Sequence, residues 1–156
     1  MHNIVERTKD QSSSHSKTSA DGFKVIIIGA GFAGILIAIR LKQAGIDFIL
    51  YEKAASVGGT WRDNTYPGVA CDVPSQHYCY SFEPNPDWSH RFSPGAEIQR
   101  YIEHVAKKYG LLEHLRLSCE VCSVHWDGRR WKVRLSSGEE GEADIVVCAT
   151  GVLHHP

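Results

Sequence analysis

Residues 24–52, KVIIIGAGFAGILIAIRLKQAGIDFILYE, form the stretch of the chain that decides its fold. The β-branched run over residues 24–28 is typical of a strand buried on both faces. The glycines after it open an apolar helix, which Gly45 is placed to end. A second short strand follows over residues 47–51. A strand, a helix and a strand within about 30 residues predict a βαβ unit with a parallel sheet.

The glycines between the first strand and the helix have the spacing Gly29-x-Gly31-x-x-Gly34, and Glu52 lies 18 residues beyond the last of them. This pattern matches the dinucleotide-binding fingerprint. Gly29 permits the tight turn, Gly31 lets a pyrophosphate approach the backbone, and Gly34 lets the helix pack closely on the strand. The free N–H groups of the helix would meet the anion.

Glu52 would accept hydrogen bonds from a ribose diol and would repel a 2′-phosphate. The fingerprint therefore favours FAD or NAD over NADP at this site. The cofactor-binding residues predicted in this region are Gly29, Gly31, Phe32, Ala33, Gly34, Glu52 and Lys53.

The amino-acid composition changes after the βαβ unit. Residues 54–92 are rich in glycine, proline and aromatic side chains, and an irregular segment of that length is usually functional. We expect its Tyr66 and Trp88 to be packing residues. Ser93 is placed to cap a second helix whose first residue would be Pro94. Short strands follow.

The strands after the second helix predict a small antiparallel β-meander and one more buried strand. The first short strand is expected over residues 115–118. Residues 120–126 and 130–135 flank an Asp-Gly turn, which indicates a hairpin. Residues 144–149, DIVVCA, are expected to form a strand buried on both faces.

Charge and composition exclude several classes of protein. The chain has 156 residues, 17 Lys and Arg against 18 Asp and Glu, and a formal net charge of −1. It therefore lacks the excess of positive charge that is typical of proteins binding nucleic acid or an anionic membrane.

Residues 1–22 are predicted to be a disordered polar leader. No apolar run is long enough to span a membrane. The odd number of scattered cysteines favours reduced thiols, and we expect a cytoplasmic protein.

No metal site is predicted. Cys119-x-x-Cys122 has the spacing of half a zinc site, but the sequence offers no second cysteine pair.

Three further motifs carry a resemblance to a family. They are Gly58-Gly59-Thr60-Trp61, the run YPGVACDVPS over residues 66–75 with Tyr78 after it, and VCATG over residues 147–151. Together they resemble the class B flavoprotein monooxygenases, and most of all the Baeyer–Villiger monooxygenases. The resemblance covers residues 23–156. It implies an α/β, Rossmann-like FAD-binding domain of which this chain is the N-terminal part, so the domain is expected to be truncated.

The resemblance implies roles for individual residues. The Gly58 to Trp61 motif would line the flavin side of the site, and Tyr78 would contact FAD. Asp72 would lie near the flavin ring and pair with an active-site arginine, which makes it the one predicted catalytic residue. Val121 would contact adenine through its backbone. Thr150 and Gly151 would lie near the junction with an NADPH domain. Many relatives carry a basic residue where this chain has Ala70.

The resemblance also implies a reaction. NADPH would reduce FAD, and one atom of O2 would be inserted into a ketone, or added to a sulfide or amine. The second GxGxxG for NADPH and the family's FxGxxxHxxxWP signature are absent from the sequence. We therefore expect the chain to need the C-terminal remainder of such an enzyme and to be inactive alone. The alternatives are another flavoprotein with two dinucleotide domains, and a non-catalytic module that binds NAD or FAD.

Overall fold

A computed structural model describes residues 23–152. The predicted leader, residues 1–22, lies outside the described residues. No helix within the described part is long and apolar enough to cross a membrane. The elements in chain order are β1 (Lys24–Ile28), α1 (Phe32–Ala44), β2 (Asp47–Tyr51), α2 (Thr60–Asp63), a 3-10 turn (Ser75–His77), α3 (Gly95–Lys108), β3 (Leu115–Arg116), β4 (Val121–Trp126), β5 (Trp131–Leu135), β6 (Glu140–Ala143) and β7 (Ile145–Cys148).

A parallel sheet in the order β3-β2-β1-β7 forms the centre of the fold. Its β1 strand pairs with β2 on one side and with β7 on the other, so that Ile26 lies opposite Ile49 and Val146. The helix α1 connects β1 to β2 and ends at Gly45, whose φ is 69°. The predicted βαβ unit and α/β fold class are confirmed.

The β-branched residues of β1 alternate between two hydrophobic clusters. Val25 and Ile27 face the buried sides of α1 and α3. Ile26 faces Val133 and Leu135 of the antiparallel sheet β4-β5-β6. The strand is therefore buried on both faces, as its composition predicts, and the predicted meander is what covers the second face.

Two strands differ from their predictions. The strand expected over residues 115–118 has only two residues and pairs in parallel with β2. The strand expected over residues 144–149 forms as β7, but it is not buried on both faces, and Ile145 is 44% exposed. Within the described residues β7 pairs with β1 alone and lies at the edge of the sheet, so its apolar composition is not matched by burial.

The predictions around the second helix need correction. Pro94 is the N-cap of α3, and the helix begins at Gly95. Ser93 does not cap it, because the Ser93 hydroxyl lies in the interior, with its Oγ 2.6 Å from that of Ser75. Tyr66 was expected to pack but is 61% exposed. Trp88 does pack, and its ring centroid lies 5.3 Å from that of Tyr101.

Candidate functional site

The first glycine turn lies at the carboxyl end of β1, where two of its glycines are required by packing. Gly29 has a φ of +99°, and a Cβ there would lie 2.6 Å from the carbonyl oxygen of Ala149. A Cβ on Gly34 would lie 1.9 Å from the carbonyl oxygen of Gly29. Both distances are far below van der Waals contact, so only glycine allows α1 to approach β1 and β7 this closely.

Gly31 lies between them and has a different environment. A Cβ there would meet only the Cα of Gly59, at 3.8 Å, so nothing in the described chain requires a glycine. Gly31 is the N-cap of α1, and no side chain caps the helix. The N–H groups of Phe32 and Ala33 belong to the first turn of α1, where a helix offers no acceptor. The turn is thus a concave cradle of backbone donors at the positive end of a helix dipole.

A second glycine turn faces the first. Gly58 and Gly59 have φ values of +132° and +53°, which favour glycine. The N–H of Gly58 donates to the carbonyl of Ala30 at 2.9 Å. A Cβ on Gly59 would lie 3.3 Å from the Cα of Gly31. The sequence places these turns 28 residues apart, and the fold brings them into contact.

Glu52 closes the site at the end of β2, and it is only 4% exposed. Its Oε2 accepts from the N–H of Ala30 at 2.8 Å, and its Oε1 accepts from the N–H of Ala54 at 2.9 Å. The guanidinium of Arg62 lies 3.1 Å from Oε1. A buried carboxylate requires such partners. Because a carboxylate oxygen accepts two hydrogen bonds, Oε2 keeps the capacity to accept one from a ribose hydroxyl.

Arg62 is a site residue that the sequence analysis missed. Its Nη1 donates to the carbonyl of Ser56 at 2.6 Å, and its Nε and Nη2 donate to the two carboxylate oxygens of Asp63 at 2.7 and 2.9 Å. Burial lowers the pKa of the guanidinium. The hydrogen bonds and charges of Asp63 and Glu52 together raise it by more than burial lowers it, so the pKa lies above its usual value. Its place directly after Trp61 was the one signal that could have singled it out.

An aromatic wall stands beside the cradle. The indole N–H of Trp61 donates to the hydroxyl of Tyr78 at 3.1 Å, and the Tyr78 ring packs edge-on against Phe32 with centroids 5.0 Å apart. Burial raises the pKa of Tyr78, the bond from Trp61 lowers it, and the negative charge of Asp72 raises it. Asp72 itself is exposed, and its charge acts on the Tyr78 phenol.

Two tyrosines that the sequence analysis did not single out support this wall. The Tyr80 hydroxyl donates to the carbonyl of Phe32 at 2.7 Å, which holds the first residue of α1. The Tyr101 hydroxyl accepts from the N–H of Tyr80 at 2.9 Å and donates to the carbonyl of Glu83 at 2.7 Å. Burial raises the pKa of Tyr101 to about 12. Burial raises the pKa of Tyr80 as well.

Gln99 supports the second glycine turn from behind. Its side-chain Nε2 donates to the carbonyl of Val57 at 2.7 Å, and a Cβ on Gly58 would collide with its Oε1. Because this contact joins residues 42 positions apart, no sequence pattern marks it.

The remaining predicted residues lie at the end of β7, on β4 and directly after Glu52. Ala149 donates its N–H to the carbonyl of Ile28, and Thr150 follows it directly against Gly29. Gly151 is exposed, as is Lys53. Val121 is half-buried on β4, two residues after Cys119, whose N–H donates to the carbonyl of Glu52 at 2.9 Å.

The geometry fits a dinucleotide. The open face of Gly31 and the uncapped start of α1 suit a pyrophosphate, and Glu52 suits a ribose hydroxyl. Most of the predicted residues lie along this cradle, whereas Asp72 lies beside the aromatic wall; the binding role of each stays a prediction.

Among residues 23–152 no group of three or more His, Cys, Asp or Glu side chains is placed to hold a metal ion. All five cysteines are free thiols.

Two families match the chain in succession. Residues 27–93 match the family described as NAD(P)-binding Rossmann-like domain. Residues 96–154 match the family described as flavin containing amine oxidoreductase. The boundary between them falls at the start of α3.

Several curated proteins are similar to the chain over most of its length. A Baeyer–Villiger monooxygenase of Streptomyces coelicolor is 51% identical over 136 residues, which cover 85% of this chain and 26% of that protein. The chain spans about a quarter of the length of the curated relatives it matches.

Solved structures give the same result. An oxidized steroid monooxygenase bound to NADP superposes with a TM-score of 0.78 at 39% identity, over 81% of this chain and 26% of that one. OTEMO in complex with FAD and NADP superposes with a TM-score of 0.79 at 32% identity, over 83% of this chain and 26% of that one. These likenesses confirm the resemblance and the fold that the sequence predicts.

Proposed function

We propose that this chain, which is similar to the FAD-binding N-terminal portion of Baeyer–Villiger monooxygenases, binds FAD as part of an NADPH-dependent monooxygenase. The reaction of the whole enzyme would transfer one oxygen atom of O2 to a small-molecule ketone or heteroatom. In the ketone reaction the product is an ester or lactone. Residues 23–156 would form the N-terminal part of the FAD-binding domain, after a disordered polar leader over residues 1–22.

One observation carries the proposal. The two glycine turns meet at Gly31 and Gly59 and leave a cradle that no side chain of the described residues fills, while Glu52 stands at the end of the neighbouring strand. Glycine at position 31 has no packing purpose, in contrast to Gly29 and Gly34. Open space above an uncapped helix start is what a pyrophosphate needs.

Each part of the site would act on a different part of FAD. The backbone N–H groups from Gly31 to Gly34 would bind the pyrophosphate, and the Oε2 of Glu52 would accept from the adenosine ribose. Val121 would contact adenine through its backbone, since it follows Cys119, whose N–H donates to the carbonyl of Glu52, by two residues. Lys53, next to Glu52, would lie on the same side.

The flavin end of the cofactor would lie towards the second glycine turn and the aromatic wall. The residues from Gly58 to Trp61, with Tyr78, would line this side, while Thr150 and Gly151 would lie where an NADPH domain begins. When bound, FAD supplies the oxidation–reduction chemistry that joins NADPH oxidation to the use of O2. The wall would exclude water from one face of the ring. Asp72 would hold an arginine in place there through its carboxylate.

NADPH and the substrate would bind mainly to the additional sequence that the longer relatives contain. The chain of 156 residues by itself should therefore bind FAD without oxidising NADPH at the rate of a complete enzyme.

The test is the visible spectrum of the purified chain after it has been loaded with FAD and desalted. We expect a retained flavin spectrum in the parent chain and in Gly141→Ala. Gly141 is the matched control, because a Cβ there meets only ordinary contacts, the nearest at 3.7 Å. Gly31→Ala should keep the folded circular dichroism spectrum but retain little flavin, because its methyl group would occupy the pyrophosphate cradle. Glu52→Arg should also lose the flavin.

Three results would contradict the proposal. A folded parent chain that retains no FAD, or Gly31→Ala retaining as much as Gly141→Ala, would show that the cradle is not the FAD site. If the parent chain binds NAD more tightly than FAD, the alternative of a NAD-binding module would replace the monooxygenase.

A further inference from the structure

The ion pair of Glu52 and Arg62 is the most heavily shielded pair of opposite charges in the described part of the site. The side chain of Glu52 is 5% exposed and that of Arg62 is 15% exposed. The Arg62 nitrogen nearest to Glu52 is Nη1, which also donates to the carbonyl of Ser56. The other edge of the guanidinium is occupied by both oxygens of Asp63. The bonds to Ser56 and Asp63 therefore hold Arg62 on two sides, with Nη1 beside Glu52.

The two side chains favour different groups at the 2′ position of a ribose. A carboxylate at the end of the second strand accepts hydrogen bonds from a free 2′-hydroxyl and repels a 2′-phosphate. An arginine at the same place accommodates a 2′-phosphate, because the guanidinium binds phosphate oxygens through a fork of donors. In this chain the arginine pairs with the carboxylate itself: Nη1 of Arg62 lies 3.1 Å from Oε1 of Glu52, while Oε2 accepts from the N–H of Ala30 in the first glycine turn.

We propose that Arg62 and Glu52 together determine the specificity of the adenosine ribose subsite. Arg62 holds the Glu52 carboxylate in place for a ribose diol. Glu52 in turn pairs with Nη1, the guanidinium nitrogen that does not donate to Asp63, and so keeps this nitrogen from a 2′-phosphate. This inference rests on the proposed binding of FAD, and it adds the residue that sets the choice between nucleotides with and without a 2′-phosphate.

The contacts of Arg62 show which edge of its guanidinium faces Glu52. Asp63 binds Nε and Nη2, on the edge away from Glu52. Ser56 offers only a neutral carbonyl oxygen to Nη1. If the negative charge of Glu52 is removed, Nη1 is left beside the ribose subsite with no anionic partner. Removing Arg62 has the opposite effect, because Glu52 then faces the subsite without a counterion.

The test compares displacement of FAD by NAD and by NADP, which differ only in the 2′-phosphate. The whole 156-residue chain is used with Glu52→Gln, Arg62→Gln, the double variant and Arg129→Gln as the control. Arg129 lies exposed in the turn between β4 and β5, away from the cradle. FAD affinity is followed by the change in flavin fluorescence.

We expect Glu52→Gln to raise the affinity for NADP relative to NAD by about tenfold or more, since one charged hydrogen-bonded contact is gained. Arg62→Gln should shift the ratio the other way and weaken FAD about fivefold. In the double variant the ratio should return to within about twofold of the parent value, because neither charge remains. Arg129→Gln should change nothing.

The proposal is overturned if Glu52→Gln leaves the ratio unchanged, if its shift persists in the double variant, or if neither nucleotide displaces FAD in any variant. Should Glu52→Gln fail to fold, Arg62→Gln alone decides, because an unchanged ratio there contradicts the proposal equally. A purely structural role of Arg62 would weaken FAD, NAD and NADP alike and leave their ratio constant. If the parent chain does not bind FAD, the proposed function fails first, and that outcome is visible before any variant is made.

Discussion

The unit β1–α1–β2 and the long segment over residues 64–94 are both packed against the same core, but they are held in different ways. In the first, the backbone hydrogen bonds of the helix and of adjacent strands account for the structure. The second contains one 3-10 turn and is otherwise irregular. Its ends are brought together by bonds between Cys71 and Ser93 and between Val69 and Gly95.

Side-chain hydrogen bonds hold the parts of the long segment that have no regular backbone hydrogen bonding. The Ser75 hydroxyl donates to the carbonyl of His90 at 2.8 Å or of Arg91 at 3.0 Å, and it shares a hydrogen bond with Ser93. At the far end, Tyr101 holds both the N–H of Tyr80 and the carbonyl of Glu83. The first region therefore depends on the absence of side-chain atoms at its glycines, and the second on the presence of a few polar atoms.

The largest effect should come from adding one carbon atom to the first region. Gly34→Ala places a Cβ 1.9 Å from the carbonyl oxygen of Gly29. Alanine usually stabilises a helix by about 1 kcal/mol relative to glycine. Here it should lower the free energy of unfolding by about 4 kcal/mol, because two backbone segments must separate. The measurement is urea unfolding followed by circular dichroism.

Gly31→Ala is the matched control in the same turn, since its Cβ would meet nothing closer than 3.8 Å. It should change the unfolding free energy by less than about 1 kcal/mol. Equal destabilisation by both variants would show that the turn is not held by the contact between α1 and β1.

A smaller effect is expected where the second region depends on a hydroxyl. Ser75→Ala removes the buried Oγ and leaves the Ser93 hydroxyl and two carbonyls without it. The free energy of unfolding should fall by about 2 kcal/mol, because the buried Ser93 hydroxyl loses its hydrogen-bond partner, while the Arg91 carbonyl keeps its bond from the Ser75 N–H. Ser136→Ala, at an exposed position after β5, is the control and should be neutral. If Ser75→Ala matches Ser136→Ala, the hydroxyl cluster does not hold the segment.

The smallest effect should appear at alkaline pH. Burial raises the pKa of Tyr101 to about 12, whereas an unfolded tyrosine titrates near about 10. The folded state therefore keeps its proton where the unfolded state has lost it. The stability from this group is complete below about pH 10 and is lost as the pH rises towards about 12.

Tyr101→Phe should consequently be less stable than the parent chain by about 1 kcal/mol at pH 8, and the difference should shrink as the pH rises above about 10. Urea unfolding at a series of pH values measures it. Tyr66→Phe, at an exposed position, should show no such trend. A difference for Tyr101→Phe that stays constant up to pH 11 would contradict the assignment.

The sequence alone determined the βαβ unit, the glycine fingerprint and the antiparallel meander. Each of these is a local pattern: a β-branched run, a fixed glycine spacing, and an Asp-Gly turn between alternating strands. Such patterns express steric and hydrogen-bonding rules that act over a few residues. Gly29, Gly31 and Gly34 could therefore be given separate roles before any fold was known. The tight turn predicted at Gly29 agrees with its φ of +99°, and the close packing predicted at Gly34 agrees with the clash that a Cβ there would make.

Only the tertiary structure decided which groups meet across the chain. Arg62 faces Glu52, Ser93 turns inward to Ser75 instead of capping α3, and Ile145 is exposed at the sheet edge. None of these contacts follows from the spacing of residues along the sequence, because the partner of a side chain is set by which groups the fold brings within bonding distance. Packing and charge pairing act between residues that are distant in sequence, which is why the carboxylate of Glu52 is paired with an arginine that the glycine fingerprint does not contain.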